Sequence, residues 1–492
     1  MSSSEIAADL TTQDTRSVRA YVKSGQPYVW MTAGAIATSI IVTVALLMLT
    51  MVRGVAHFWP ADLVQGSYEA PGVAAQPLLA EIRSSEEVTS ARLKSAGLSV
   101  DESQDFYDRL LLKIGNRDIG GVDFRYVLSD WLVNRSTPED ATVWERLEWG
   151  NLHGFLESVQ ADGQVVTGDK AWAAYQAAQD RANDLRKQID RIEKKEIGSI
   201  NYQIEQLRLD ERRLELDGKN RSEHSEAFAA LDAKRLKLDA EYEKLSEERA
   251  GLYKQLARDS LTARTVSGQE VHLEFAELVT GYRPNAMNIF QKLLHWCGKL
   301  WEFISEDPRE ANTEGGIFPA IFGTVMMVLL MSVFVTPFGI LAALYLREYA
   351  KQGTVTRAIR IAVNNLAGVP SIVYGMFGLG FFVYFLGGNL DRLFYPEAAP
   401  APVFGTPGIL WSSLTLALLT LPVVIVATEE GLARIPRSVR EASLALGATK
   451  AETLWKVVLP MASPAMMTGL ILAIARAAGE VAQVHASGLS HL

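Results

Sequence analysis

The chain has 492 residues, of which 48% are apolar and 21% charged, with one cysteine and a formal net charge of −9. This composition excludes a collagen, a disulfide-rich secreted module and a wholly disordered chain. The acidic balance argues against a nucleic-acid-binding protein, which needs a concentrated basic surface. The apolar residues are unevenly distributed, because a polar middle separates two strongly apolar ends.

The first apolar run carries no charge over the 24 residues from Val29 to Val52. A helix of about 20 residues crosses a hydrocarbon core of roughly 30 Å, so this run is long enough to span a membrane. A secretory signal peptide has a shorter apolar core and a small-residue cleavage site directly behind it. Here Arg53, His57, Phe58 and Trp59 follow instead, which favours an uncleaved membrane helix at 29–52.

Four more apolar runs are packed into the last part of the chain, at about 317–346, 366–388, 408–428 and 464–482. Backbone groups in lipid must pair within their own segment, so all five runs are predicted to be helices. Pro337, Pro370 and Pro422 lie inside or at the ends of these runs. A neighbouring helix or a water must satisfy the carbonyl that each proline frees, which indicates a multi-helix bundle.

The basic residues of the connections predict the topology, because lysine and arginine concentrate on the cytoplasmic side. The segments before the first span and after the second and fourth are rich in them, whereas the connection at 389–407 has only Arg392. We therefore expect a multi-pass membrane protein with a cytoplasmic N-terminus at 1–28. The insertion at 53–316 then lies outside, in the periplasm if the source is a Gram-negative bacterium.

The insertion has two parts. Residues 61–168 mix turn formers with short apolar patterns, and we expect a small mixed fold there. From about 170 to 258, leucine and isoleucine recur at helical spacing in two arms joined by the polar link DGKNRSEH. This pattern predicts a coiled-coil hairpin that projects outward, closed within one chain or paired between two copies. Such a rod would contact a partner or position the outer domain.

The sequence carries no enzyme signature. No phosphate-binding G-x-x-x-x-G-K-[ST] loop occurs, so ATP hydrolysis would need a separate subunit, and we predict no cofactor in this chain. Gly375, Gly378 and Gly380 lie inside an apolar run, where close helix packing explains them better than dinucleotide binding. The seven histidines are scattered without ligand spacing, so we predict no metal site.

The connection between the fourth and fifth spans carries the most specific pattern in the chain. Glu441, Ala442 and Ser443 are followed by Gly447, then by Val457, Leu459 and Pro460. This spacing resembles the E-A-A, G, I-x-L-P coupling loop of ABC importer permeases, with serine for the second alanine and valine for isoleucine. Small residues would let a short helix approach a partner surface, the glycine would allow a sharp turn, and the proline would end the second helix near the membrane.

Residues 322–350, 366–380 and 471–482 resemble the PstA permeases of phosphate-specific (Pst) ABC transporters. The likeness is dense over 317–482, and the anchor and insertion resemble an extended form of these permeases. We expect an all-α integral membrane protein, and the resemblance implies a MetI-like helical core in a lipid bilayer, with an extra N-terminal membrane helix and the insertion added to it. It also implies inorganic phosphate as substrate, a second permease subunit (PstC-like), an ATPase dimer (PstB-like) and a periplasmic phosphate-binding protein (PstS-like).

Arg476 and Glu480 are the candidate translocation-pathway residues. They lie four residues apart in an apolar helix and therefore share one face, on which they can pair. An ionisable residue within a membrane segment is a functional candidate. Arg476 would attract a divalent oxyanion and Glu480 would temper that attraction; alternatively the two form a structural ion pair.

The end of the sequence departs from the family pattern. After the last predicted span the family continues with an external stretch and a further membrane helix, whereas this chain reads QVHASGLSHL at 483–492. We expect an atypical, truncated tail and five membrane helices instead of six. Two other functions stay open: a permease for another oxyanion such as phosphonate, sulfate or molybdate, and a membrane-anchored periplasmic sensor.

Overall fold

A computed structural model describes residues 25–98, 100, 104–219, 221, 225–309 and 314–488. Most of the predicted cytoplasmic segment at 1–28 and the last four residues of the tail lie outside this part. The helices are α1 Gln26–Ala56, α2 Ser90–Ser95, α3 Arg117–Gly120, α4 Ala171–Arg191, α5 Gly198–Leu216, α6 Ser225–Leu256, α7 Ile289–Ser305, α8 Phe318–Leu344, α9 Thr354–Leu366, α10 Ser371–Phe377, α11 Gly388–Phe394, α12 Ile409–Arg434, α13 Arg437–Ala445, α14 Lys450–Thr453 and α15 Leu459–Gly488.

Several helices continue directly into each other through wider π-helical turns. These turns are Ile192–Ile197 between α4 and α5, Tyr345–Tyr349 after α8, Gly378–Gly387 between α10 and α11, and Leu454–Val458 between α14 and α15. The strands are β1 Leu63–Tyr68, β2 Gln76–Thr89, β3 Phe106–Lys113, β4 Phe124–Leu128, β5 Leu132–Ser136, β6 Ala141–Arg146, β7 Asn151–Ala161, β8 Gln164–Thr167, β9 Ser260–Arg264, β10 Glu270–Glu274, β11 Leu278–Tyr282, β12 Pro308–Arg309 and β13 Glu314–Gly315.

Five helical segments within the described residues are long and apolar enough to cross a membrane. They are Gln26–Ala56, Phe318–Tyr349, Ser371–Phe394, Ile409–Arg434 and Lys450–Glu480. Each overlaps a run predicted from the sequence, so the chain is mostly helical and multi-pass. The third segment begins at Ser371 and not at the predicted 366, because Leu366 ends the preceding helix α9. The last segment begins earlier than the predicted 464, since the connecting helix continues without a break into α15.

The core of the membrane part forms where α8, α12 and α15 pack together. Met331, Val424, Ala473 and Ala477 are buried at this contact. Glycines let the helices approach closely, as small residues do in membrane bundles. A Cβ on Gly431 would lie 2.4 Å from the Cβ of Ala465.

The described part of the insertion contains two large antiparallel sheets and a short two-stranded pair, β12 with β13, in addition to its helices. In the described part, the first sheet has the strand order β4-β3-β2-β1-β5 and the second the order β10-β9-β7-β6-β11, with β8 on β7. The second sheet is completed late in the chain, because β11 pairs with β6 in a register that sets Tyr282 opposite Val143. Residues 61–168 are therefore mainly β-structure, and residues beyond the hairpin finish their second sheet.

A helical hairpin leaves the second sheet after β8 and returns to it at β9. Its arms are antiparallel: near the tip Arg221 pairs with Asp232 at 2.8 Å, and farther back the hydroxyl of Tyr253 donates to Glu193 at 3.2 Å. The base of the hairpin packs on the sheet through Tyr175, Leu256, Phe275 and their buried neighbours.

The hairpin does not project freely from the molecule. Near its tip, Arg213 donates to the buried carboxylate of Glu397 at 2.8 Å, in the loop that precedes α12. Nearer its base, Lys194 pairs with Asp307 at 3.3 Å, just before α8. The expectation of an outward rod is therefore corrected, because these two ion pairs hold the hairpin against the loops that flank the membrane helices.

Candidate coupling site

Residues 437–460, called the elbow below, form two short helices joined by a tight turn. The first, α13, follows Pro436 and ends where the amide of Gly447 donates to the carbonyl of Leu444 at 3.0 Å. Gly447 has a φ of +87°, a left-handed conformation that side chains rarely adopt. The glycine of the predicted pattern therefore makes the turn between the two arms.

The second arm begins with a capping box. The hydroxyl of Thr449 accepts from the amide of Glu452 at 3.2 Å, and the Glu452 carboxylate accepts from the amide of Thr449 at 3.0 Å. Pro460 lies inside a continuing helix and does not end it, in contrast to our expectation. The π-helical turn Leu454–Val458 precedes the proline, and such local adjustments satisfy the backbone groups that a proline frees.

The predicted pattern residues divide into an exposed tip and a buried base. Glu441, Ala442 and Gly447 are exposed, whereas Leu459 is buried in a cluster with Leu344 and its neighbours at the end of α8. Ser443 is half-buried, and its hydroxyl lies 2.9 Å from that of Thr453, which joins the two arms. Val457 is half-buried and Pro460 is exposed.

One apolar residue of the elbow stands out by its exposure. Leu446, next to the turn glycine, leaves 90% of its surface accessible. Leu444 and Trp455 of the elbow are exposed as well. Several exposed apolar side chains on one loop make it a candidate surface for binding another protein. The sequence pattern did not single out Leu446, although its position beside Gly447 could have indicated it.

Charged groups that the sequence analysis did not single out tie the elbow to the end of α8. Arg440 donates to the carboxylate of Glu348 at 2.8 Å and to the carbonyl of Ile435 at 2.7 Å. The Lys450 ammonium donates to the Glu348 carbonyl at 2.6 Å and lies 4.5 Å from the centre of the Tyr349 ring. Both arms are therefore attached to one residue, so the elbow and the end of α8 form one mechanical unit.

A second ion pair joins the connecting helix α9 to α12. The guanidinium of Arg360 lies 2.5 Å from the carboxylate of Glu429 and donates to Gln352 at 2.9 Å. A cavity of about 260 Å³ opens beside this pair. The ends of α8, α9 and α12 thus share a charged layer on the same face of the membrane part as the elbow.

The structure does not join the two candidate pathway residues as a pair. Within the described residues, the side chains of Arg476 and Glu480 form no ion pair or hydrogen bond. Glu480 lines a largely apolar cavity of about 740 Å³ that also contacts Tyr374 and Trp411. The structural ion pair considered above is therefore not formed among the described side chains.

No group of three metal-ligating side chains exists in the searched, described portion of the chain.

The sequence matches known proteins in its C-terminal part. Residues 335–489 match the family model of the binding-protein-dependent transport system inner membrane component. The phosphate transport system permease protein PstA 1 of Mycobacterium tuberculosis (strain CDC 1551 / Oshkosh) is 38% identical over 170 residues, which are 35% of this chain and 50% of that protein. The phosphate transport system permease protein PstA of Yersinia pestis is 34% identical over 189 residues, 38% of this chain and 58% of that protein.

The chain spans about half the length of the curated relatives it matches. Among solved structures, the inward-facing MetNI methionine ABC transporter is 20% identical, with 33% of this chain and 70% of that chain covered and a TM-score of 0.27. That score does not establish a shared helix arrangement. The sequence matches therefore show a likeness of the C-terminal part: residues 335–489 are similar to the binding-protein-dependent transport system inner membrane component family and to the PstA permeases of phosphate transport systems.

Proposed function

We propose that this chain is the non-enzymatic, membrane-spanning permease subunit of an ATP-driven phosphate importer. The observation that carries the proposal is the elbow, which combines a firmly held base with an exposed tip at Leu446 and Gly447. The names of the relatives support phosphate as the substrate. ATP binding and hydrolysis belong to a separate ATPase dimer (PstB-like), so the chain itself holds no cofactor.

The elbow transmits motion because it is stiff at its base. Arg440 and Lys450 attach both arms to Glu348 at the end of α8. The buried cluster around Leu459 joins the same unit to α12. A displacement of the tip by a moving ATPase therefore moves the ends of the membrane helices as rigid bodies, as alternating access requires.

The substrate pathway includes the α15 face that bears Arg476 and Glu480. A guanidinium with no neutralising carboxylate among the described side chains attracts a divalent oxyanion. Glu480, on the wall of the 740 Å³ cavity, limits that attraction so that the anion can leave. A second permease subunit (PstC-like) completes the passage, and a periplasmic phosphate-binding protein (PstS-like) delivers inorganic phosphate.

The orientation places the elbow in the cytoplasm and residues 53–316 in the periplasm, with the protein in the inner membrane. The ion pair between Arg213 and Glu397 supports this orientation, because it puts the insertion on the same side as the loop at 395–408. Helix α12 runs from that loop across the membrane, so the elbow that follows it lies on the opposite side. The basic residues of the elbow agree with a cytoplasmic position.

Uptake of labelled phosphate tests the proposal in cells whose only copy of this chain carries a substitution. Gly447→Val forces a β-branched residue into a left-handed conformation, so we expect phosphate uptake to be lost. Gly447→Asn, which tolerates this conformation, should retain uptake. Gly268→Val is the matched control, because Gly268 has a φ of +86° in a turn of the insertion, away from the elbow.

Two results would contradict the proposal. In the first, phosphate uptake in Gly447→Val would equal that in Gly268→Val, and the elbow would then have no coupling role. Alternatively, cells without the chain could take up phosphate normally and lose uptake of phosphonate, sulfate or molybdate, which would reassign the substrate.

A further inference from the structure

Helix α7 presents a wide apolar face that nothing in the described part of the chain covers. Phe290, Leu294 and Trp301 leave 79%, 76% and 72% of their surfaces accessible. At 100° per residue these positions fall on one side of the helix, together with Leu293 and Ile304. An apolar surface of this size on a folded helix marks a binding surface.

The opposite face of α7 is fixed to the rest of the molecule. Lys299 lies 2.6 Å from the carboxylates of Glu145 on β6 and Glu302 on its own helix. Lys292 pairs with Asp62, just before β1. The N-terminus is held by a capping box between Asn288 and Gln291. The helix is therefore clamped with its polar side inward and its apolar side outward.

Contacts with two membrane helices fix the position of α7 along the direction of those helices. The indole of Trp296 donates to the carbonyl of Val55 at 2.9 Å, at the end of α1. The ring of Phe303 lies 4.9 Å from that of Phe58, just beyond the same end. The carbonyl of Phe303 accepts from the amide of Ile317, next to the start of α8. Both neighbouring spans thus meet α7 at their ends on the side of the insertion.

We propose that α7 lies along the outer surface of the lipid bilayer, with the face of Phe290, Leu294 and Trp301 inserted among the lipids. The lipid surface is the occupant that fits, because α7 meets the insertion-side ends of α1 and α8, two helices long and apolar enough to cross a membrane, and the span of α1 has no buried residue. Tryptophan is enriched at this depth, and amphipathic helices bury their apolar side roughly 5–10 Å into the interface.

This position gives α7 a mechanical role. Its 17 residues span about 25 Å along the membrane surface. Lys299 joins it to β6, so the second sheet of the insertion is held close to the bilayer. The proposal rests on the membrane-spanning helices alone and does not depend on phosphate being the substrate.

The native cysteine allows a direct test. Cys297 is the single cysteine of the sequence, is exposed, and lies on the apolar face between Leu294 and Trp301. The full chain in lipid nanodiscs is labelled there with a nitroxide, and collisions with oxygen and with a water-soluble nickel chelate are measured. We expect frequent oxygen collisions and a nickel collision rate several-fold below that of a label in water.

Two cysteines introduced elsewhere, in a Cys297→Ser background, provide the reference collision rates for a label in water and for a label in lipid. Leu236→Cys on α6 reports water and Leu47→Cys in α1 reports lipid, since both leucines are exposed in the structure. A nickel collision rate at Cys297 equal to that at Leu236→Cys would overturn the proposal. Shielding from both oxygen and nickel would overturn it as well, because that result indicates a protein partner on this face.

A second variant tests whether the apolar face causes the insertion into lipid. Leu294→Glu combined with Trp301→Glu changes two exposed side chains that have no packing role in the fold. We expect the nickel collision rate at Cys297 to rise several-fold, with the protease-resistant core of the insertion unchanged. An unaltered collision rate in a folded double variant would contradict lipid contact.

Discussion

The membrane part and the insertion obtain their structures in different ways. Each membrane helix satisfies its backbone hydrogen bonds within its own segment, so a local run of apolar residues is enough to specify it. The second sheet of the insertion instead depends on pairing between β6 and β11, whose residues Val143 and Tyr282 are far apart in sequence. Local patterns therefore specify the helices, whereas distant contacts specify the sheets.

This difference also separates function from stability. The elbow and the charged layer beside it belong to the membrane part, where the proposed function assigns the coupling of displacement to transport. In the insertion, the described buried charges hold strands and loops together. Substitutions in the insertion should therefore reduce its stability before they affect coupling, and the predictions below test that separation.

The largest effect is expected at Arg146, a buried side chain of β6. Its guanidinium donates to both carboxylate oxygens of Asp118 at 2.9 Å and to the carbonyl of Gly150 at 3.0 Å. Arg146→Met leaves these acceptors without their donor, so the free energy of unfolding of the insertion should fall by about 3 kcal/mol.

This loss is measured by heating the full chain and monitoring its unfolding through the susceptibility of the insertion to proteolysis. Arg208→Met is the control, because Arg208 forms an exposed ion pair with Glu205 on the hairpin and should change little. Binding of the ATPase should be unchanged in both variants. If Arg146→Met lost ATPase binding at a temperature where its insertion is folded, the stability of the insertion and the coupling of the membrane part would not be independent.

The next effect depends on pH and arises from His153 on β7. Burial, followed by the charges of Lys113 and Arg83, lowers the pKa of this histidine to about 3. The unfolded chain binds a proton below a pH of about 6.5, whereas the folded chain does not until its lower pKa is reached. The contribution of His153 to the free energy of unfolding is therefore complete above pH 6.5. It declines by about 1.4 kcal/mol for each pH unit as the pH falls from 6.5 towards 3.

At pH 5 the insertion should therefore be less stable than at pH 7 by about 2 kcal/mol on account of His153. The neighbouring Glu81 acts in the opposite direction, because burial raises the pKa of its carboxyl. Comparing the wild-type protein with His153→Leu isolates the histidine. An equal pH dependence of unfolding in both proteins would show that the imidazole is not held neutral by the fold.

A substitution in the membrane part tests the helix packing. Gly431→Val on α12 places side-chain atoms where the Cβ of Ala465 lies, and overpacking of this kind typically costs about 1–3 kcal/mol. Gly323→Val on α8 is the control, since a Cβ there meets no described atom within 4 Å. In detergent, Gly431→Val should unfold at a lower denaturant concentration than Gly323→Val. Equal unfolding midpoints would contradict the close approach of α12 and α15.

Much of the membrane part could be predicted from the sequence. The five spans were recognisable because each is a long, predominantly apolar run, and Gly447 because only glycine readily adopts its turn conformation. The sheets of the insertion were not predicted, since β9 to β11 return only after the hairpin. Helix α7 was missed because its lysines and glutamate interrupt the apolar run, although its apolar residues recur at helical spacing.

The charged contacts of the elbow show a second limit of local patterns. Arg440 and Glu348 are separated by two membrane spans, and nothing in either neighbourhood indicates that they meet. The same holds for Arg213 and Glu397, which join the hairpin to a loop of the membrane part. Long-range ion pairs follow from the packed fold and do not appear in the local sequence.

The smallest effect is expected at this last contact. Arg213→Ala removes the partner of the buried Glu397 carboxylate while leaving a half-exposed position on α5. We expect the hairpin tip to separate from the loop at 396–398. The free energy of unfolding should fall by less than in Arg146→Met, because separation of the tip lets water reach the Glu397 carboxylate. A spin-label distance between the tip and that loop measures the change, and Arg212→Ala, whose partner Glu215 lies on the same helix, is the control. An unchanged distance would show that the ion pair does not hold the hairpin.

Retention of the ATPase by the purified full chain tests the coupling role of the elbow most directly. Leu446→Asp places a charge on the 90% exposed tip without disturbing a packed core, and Leu236→Asp makes the same change on a 70% exposed position of the hairpin. Loss of a buried leucine contact should weaken ATPase binding by about tenfold to a hundredfold in Leu446→Asp and leave it unchanged in Leu236→Asp. Equal, wild-type retention of the ATPase by both variants would contradict the elbow as the site through which ATP hydrolysis drives transport.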